Sequence, residues 1–174
     1  MTKKIVRTAL LTALSVVMTR LLPASAVVVL FGLSPLTVRF SFGLIPIYLC
    51  ALEFGAPYGG VCAGMADLIG YFINPLGGAY MPLMTLTAAL GGALCGLITK
   101  RGKNPWWRVC LGIAGATLIT AFLNTFLLEW MYGTPFAVLI WPRLISSALM
   151  CLIYCPVVIL LDGVIRKIDK NAPV

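Results

Sequence analysis

Charged residues divide the chain into long apolar stretches. They fall at positions 3, 4, 7, 20, 39, 53, 67, 100, 101, 103, 108, 129, 143, 162, 166, 167, 169 and 170. Between them apolar residues run on without a polar residue at every second position, which argues against a membrane β-barrel. Glycine and proline punctuate the joins: Gly32 and Pro35, Gly55 and Pro57, Pro75 with Gly77 and Gly78, Gly102 with Pro105, and Gly133 with Pro135. The pattern predicts six helices, near 4–26, 38–54, 57–74, 80–100, 106–131 and 136–166. At about 20 residues per span, the second and third are short for a bilayer. The expected fold is all-α, a single polytopic membrane domain over residues 1–174 with six transmembrane helices and no internal repeat.

Composition supports this reading. The chain is 61% apolar and 10% charged, against about 25% charged in a soluble domain, and its mean hydropathy is +1.03. These values exclude a soluble enzyme, a disordered protein and a nucleic-acid-binding domain. The net charge of +8 therefore reads as membrane orientation. An even number of spans brings ten of the 13 cations to one side: Lys3, Lys4 and Arg7, then Lys100, Arg101, Lys103 and Arg108, then Arg166, Lys167 and Lys170. The opposite loops, near 27–37, 75–79 and 132–135, carry none if Arg39 is counted with its helix. Positive charge concentrates on the cytoplasmic side, so both termini are expected there. Lys3, Lys4 and Arg7 before an apolar stretch, with Ala24-Ser25-Ala26 after it, have the look of a cleavable signal. Arg20 interrupts that stretch, and an uncleaved first helix is expected.

The chain has no histidine. This removes Ser-His-Asp and Cys-His catalysis and histidine metal sites together. None of the six cysteines forms a C-x-x-C pair. Cys151 and Cys155 share a helical face at i, i+4, a spacing open to a soft metal, but small apolar packing residues account for them equally well. No metal and no cofactor is expected.

Three arginines break the orientation rule. Arg20 ends the first span, Arg39 opens the second and Arg143 lies in the outer part of the sixth. One such residue can snorkel to the headgroups. Three, with Glu129 as the nearby outer acid, favour an electropositive outer cavity for an anionic ligand, since guanidinium pairs carboxylate through a planar fork of donors. The third span adds Asp67, Tyr71 and Asn74 on one stripe. Asp67 lies about 10 residues from the cytoplasmic end, roughly 15 Å deep. It could accept hydrogen bonds from a donor-rich heterocycle or pair internally with an arginine. The fifth span has Thr117, Thr120 and Asn124, although threonine often bonds its own helix. Tyr80, Trp130, Tyr132 and Trp141 form an outer aromatic belt or stack on a flat ligand, and Trp106 and Trp107 form an inner belt. The candidate ligand-binding set is Arg20, Arg39, Asp67, Tyr71, Asn74, Tyr80, Asn124, Trp141 and Arg143. Small residues four apart let helices approach closely: Ala9 and Ala13, Gly60 and Gly64, Gly92 and Gly96. The alanine pair lies in the cytoplasmic half of the first helix, where a membrane partner could dock.

The segments Thr8-Ala9-Leu10-Leu11-Thr12-Ala13, Val38-Arg39-Phe40-Ser41-Phe42-Gly43-Leu44-Ile45-Pro46-Ile47 and Ala66-Asp67-Leu68-Ile69-Gly70, with the outer stretch from Phe72 to Thr87, carry a family resemblance. Over nearly its whole length the chain resembles the substrate-binding S components of energy-coupling factor vitamin transporters, in particular the folate-specific type. The resemblance implies a six-helix fold in a bacterial cell membrane and capture of folate, or a related anionic vitamin, at the outer face. It further implies a transmembrane coupling protein contacted by Ala9 and Ala13, two cytoplasmic ATPases, and toppling in the membrane to release the vitamin inside. The absence of a G-x-x-x-x-G-K-[ST] loop agrees, because ATP energy must then come from a partner. Folate offers a flat pterin and two carboxylates to the arginines and aromatic residues. The alternatives are an S component for pantothenate or riboflavin, a stand-alone secondary transporter using Asp67, and a membrane-embedded lipid enzyme. The last lacks the several clustered acids that metal-dependent lipid transfer needs.

Overall fold

The computed structural model describes residues 2–21, 28–29, 37–38, 42–73, 80–99, 106–133 and 136–171. Six α-helices follow one another: α1 (Thr2–Val16), α2 (Leu44–Phe54), α3 (Ala56–Ile73), α4 (Pro82–Ile98), α5 (Trp106–Tyr132) and α6 (Phe136–Asn171). A π-helical stretch, Val17–Leu21, continues α1. Two short strands, β1 (Val28–Val29) and β2 (Thr37–Val38), pair antiparallel with Val28 opposite Val38. The all-α expectation holds apart from this pair.

The boundaries follow local chemistry. Pro82 stands at the first turn of α4, where its missing N–H costs nothing. Gly55 (φ 86°) joins α2 to α3 and Gly133 (φ 63°) follows α5, both in the left-handed region that glycine enters freely. The second helix, expected from 38, begins only at Leu44. The β-branched Thr37 and Val38 pair with Val29 and Val28 instead, and a turn at Phe42, whose carbonyl accepts from Ile45 N–H at 3.2 Å, opens the helix. The first helix leaves α geometry at Val17, and residues 22–26 of its expected span lie outside the described residues. The sixth runs on past 166 to Asn171.

The shortest of these helices is the hub. α2 packs against α1, α3, α4 and α6 and is buried almost all round, as an apolar sequence without a polar face requires. Ile45, Tyr48, Leu49 and Leu52 face one core shared with α4, α5 and α6. There Tyr48 meets Tyr154 edge-on at 6.0 Å between ring centres. Ile47, Cys50 and Phe54 face a second core with Val16 of α1 and Cys62, Ala63 and Ala66 of α3.

On the perimeter the logic reverses. Leu111, Leu118, Phe122 and Phe126 of α5 and Leu152 and Leu160 of α6 are exposed. Trp106–Trp130 and Arg143–Ile165 are long and apolar enough to cross a membrane, and α2 and α4 are shorter apolar helices. Hydrocarbon accepts such a surface without cost; water does not.

α3 and α4 meet through the two glycine pairs read from the sequence and through Gly59, which was not singled out by sequence. A Cβ on Gly60 would lie 3.2 Å from Ala93 Cβ, and one on Gly64 3.3 Å from Ala89 Cβ. A Cβ on Gly59 would fall 2.7 Å from Gly92 O, and one on Gly92 would strike Gly59 O. Backbone here touches backbone, so Gly92→Ala should destabilise the protein by about 1–3 kcal/mol, the usual cost of overpacking. Gly163→Ala, at a position with nothing within 4 Å, should leave it unchanged or slightly stabilised. Thermal unfolding of both variants in detergent checks the contrast.

Candidate functional site

A layer of polar side chains joins four successive helices. Asp67 stands about 9 Å below the end of α3, counting six residues of helical rise. Thr85 Oγ1, on the first turns of α4, donates to Asp67 Oδ2 at 2.7 Å. The Tyr80 hydroxyl lies 3.3 Å from the same Thr85 oxygen. Thr85 has one proton, already committed to the carboxylate, so Tyr80 is the donor in that contact. The hydroxyls thus form a directed chain ending on Asp67. Above it the Tyr71 and Tyr80 rings are 5.1 Å apart, with Phe72 6.1 Å from Tyr71 and 6.2 Å from Tyr80. The i, i+4 spacing of Asp67 and Tyr71 places carboxylate and ring on one face.

The layer continues across α5 and α6. Thr87 Oγ1 contacts Asn124 Oδ1 of α5 and lies 2.8 Å from Met84 O. Arg143 of α6 donates to Thr125 Oγ1 at 3.5 Å, a long contact, and Thr125 passes its own proton to Ala121 O at 2.7 Å. Thr125 is fully buried. Thr117 and Thr120 donate to carbonyls of their own helix, the ordinary behaviour of helical threonine. Of the residues singled out in the sequence, the structure brings Asp67, Tyr71 and Tyr80 together and links Asn124 and Arg143 to neighbouring helices. Trp141 is 67% exposed and, among the described residues, stacks on no ring. Arg39, Asn74 and the side chain of Arg20 lie outside the described residues. Thr85, Thr87 and Thr125 were not singled out by sequence. Their residue type is common in helices, and nothing in the spacing tells a threonine that crosses to a neighbour from one that bonds its own backbone.

A second feature lies on α1. Its hydroxyls face inward. Thr12 Oγ1 contacts Cys62 Sγ at 3.2 Å, Cys50 Sγ donates to Thr8 Oγ1 at 3.8 Å, and Ser15 Oγ donates to Gly43 O at 2.6 Å. Its apolar face looks outward. Between α1 and α3 runs an open groove of about 640 Å³: the exposed Ala9 and Ala13, with Thr8, Thr12, Val16 and Val17, line one side, and Val61, Met65, Ile69 and Ile73 of α3 the other. Arg7 and Glu53 make an ion pair at 3.4 Å across the ends of α1 and α2. Cys151 and Cys155 place their sulfurs 3.7 Å apart as free thiols.

The model of the family described as ECF transporter, substrate-specific component, matches residues 3–161. A folate transporter FolT from Clostridium novyi (strain NT) is 30% identical over 127 residues, 72% of this chain and 72% of that protein. The crystal structure of FolT bound with folic acid aligns with 92% of this chain and 90% of its own at 30% identity, with a TM-score of 0.69. A family match across nearly all of the helical chain, joined to a structural match of the same extent, establishes that this protein belongs to the substrate-specific components of ECF transporters: a membrane protein of transport, not an enzyme.

Proposed function

We propose that this chain captures folate at the outer face of a bacterial cell membrane and imports it together with an ATP-driven coupling module. The agreement with FolT bound with folic acid, over 92% of this chain at 30% identity, carries the reading. The chemistry of the polar layer supports it. Asp67 Oδ1 accepts no hydrogen bond among the described residues, and the donor edge of a pterin would satisfy it. Tyr71 and Tyr80 would flank the flat ring. Arg143, with Arg20 and Arg39, would pair the glutamate carboxylates, and Asn124, Asn74 and Trp141 would complete the wall. Guanidinium and carboxylate meet through parallel donors, so the arginines act by geometry as well as charge.

Two finer points belong to the same reading. Six spans with both termini in the cytoplasm put the cationic clusters on the cytoplasmic side and the polar layer near the outer one. The α1/α3 groove would take the transmembrane coupling protein, with Ala9 and Ala13 as the floor on which a partner helix settles closely. Two cytoplasmic ATPases would then drive release.

Three outcomes are expected. In intact cells, membrane-impermeant thiol reagents should fail to label Thr2→Cys, Gly102→Cys and Ala172→Cys; efficient labelling at any of them breaks the six-span arrangement. Replacing Ala9 and Ala13 together with leucine should abolish uptake into cells carrying the coupling module while leaving folate binding to the purified protein intact. Loss of binding in a folded double variant removes the docking role. Finally, Arg20→Lys, Arg39→Lys and Arg143→Lys keep the charge but lose the planar fork. A charge-assisted hydrogen bond contributes roughly 1.5–3 kcal/mol, so a ligand-pairing arginine should lose about 10- to 150-fold in folate affinity on this change. Titration calorimetry without ATPases measures it, and unchanged affinity in all three variants leaves only snorkelling.

A further inference from the structure

The Asp67 carboxylate is free to pivot unless something holds it, and the hydroxyl that does so comes from a neighbouring helix. Thr85 Oγ1 reaches Oδ2 at 2.7 Å, and its oxygen receives the Tyr80 proton at 3.3 Å. Both donors point the same way along the chain. A group approaching Asp67 from the ligand side therefore meets an acceptor that is already oriented and cannot be matched by another acceptor. The same hydroxyl ties the carboxylate to Tyr80, whose ring lies 5.1 Å from Tyr71. Ring position and edge chemistry are thus held in one register by a single side chain.

We propose that Thr85 is a specificity-determining positioning residue: by donating to Asp67 Oδ2 it presents Oδ1 to the ligand and selects a flat heterocycle carrying N–H donors at that edge. This rests on the folate reading above, which supplies the heterocycle. The pterin of folate has adjacent donors in its 2-amino group and ring N–H, and these suit an oriented carboxylate with several lone-pair sites. A ring with an acceptor at that place would set oxygen lone pairs against a fixed carboxylate. Sites that read polar groups reject such analogues strongly, because the buried polar group is left unmatched. Thr85 is not expected to touch the ligand. Its effect passes through Asp67, which sets it apart from a residue that merely packs.

The experiment measures binding of folate and of 2-desamino folate, which lacks one donor, to purified wild-type protein and to Thr85→Val, Thr85→Ser, Asp67→Asn and Thr85→Val/Asp67→Asn. Valine keeps the shape of threonine and removes the hydroxyl. Thr85→Val should weaken folate binding roughly tenfold, on the scale of one hydrogen bond, while changing the affinity for the 2-desamino analogue little. Thr85→Ser should restore folate binding. In the Asp67→Asn background the valine should add no further loss, because the two residues act as one unit. Thr85→Ala removes the same hydroxyl without adding a methyl in its place and carries the same expectation if the valine variant does not fold. Equal losses for the two ligands, no rescue by serine, or additive losses in the double variant overturn the proposal. A wild-type protein that binds no folate overturns the functional reading and this one with it. A wild-type protein that binds folate beside a Thr85→Val that binds it equally well overturns the role of Thr85 alone.

Discussion

The arrangement depends on how closely α3 and α4 approach. In lipid, an apolar side chain gains little by leaving its neighbours for another helix, so association rests on fine packing and on hydrogen bonds between helices. Gly59 and Gly92 allow backbone to lie on backbone, and that contact brings Thr85 within reach of Asp67 across the same pair of helices. A larger separation would leave the carboxylate without its donor. Packing with no chemistry of its own therefore sets the geometry of the polar layer above it.

α2 completes the arrangement from the other side. Although only eleven residues long, it supplies both cores, with Tyr48 and Leu52 turned one way and Cys50 and Phe54 the other. The helices that carry the polar layer are thus braced behind by a rigid apolar post. The outward faces of α5 and α6 are left to the lipid.

Much of this was legible in the sequence, for reasons that differ by residue. Gly60, Gly64, Gly92 and Gly96 could be read because four-residue spacing lays small residues along one face of a helix, whereas Gly59, which meets Gly92 backbone to backbone, was not singled out. Asp67 and Tyr71 could be read because a carboxylate in an apolar run demands a partner. The four-residue spacing of Ala9 and Ala13 puts them on one side of α1, and there they stand exposed on a groove. The start of α2 could not be read. Thr37 and Val38 favour strand, yet whether they form one depends on Val28 and Val29 lying opposite, a long-range fact. Thr85, Thr87 and Thr125 were hidden for a similar reason. A threonine hydroxyl can serve its own turn or a neighbour's, and only the packed structure decides. Thr120 went one way and Thr85 the other.

The inward hydroxyls of α1 have a consequence for motion. Thr8, Thr12 and Thr19 each donate to a carbonyl one turn earlier in their own helix or its continuation. These groups carry their acceptors with them and stay satisfied wherever the helix goes. Sliding α1 along α2 and α3 would break the Ser15 bond to Gly43 O, a few weak thiol contacts and the Arg7–Glu53 ion pair at the helix ends. What fixes the position of α1 is therefore concentrated at a few points: the Arg7–Glu53 pair at one end, the Ser15 bond to Gly43 O towards the other, and the packing of Val16 and Leu11 against the second core.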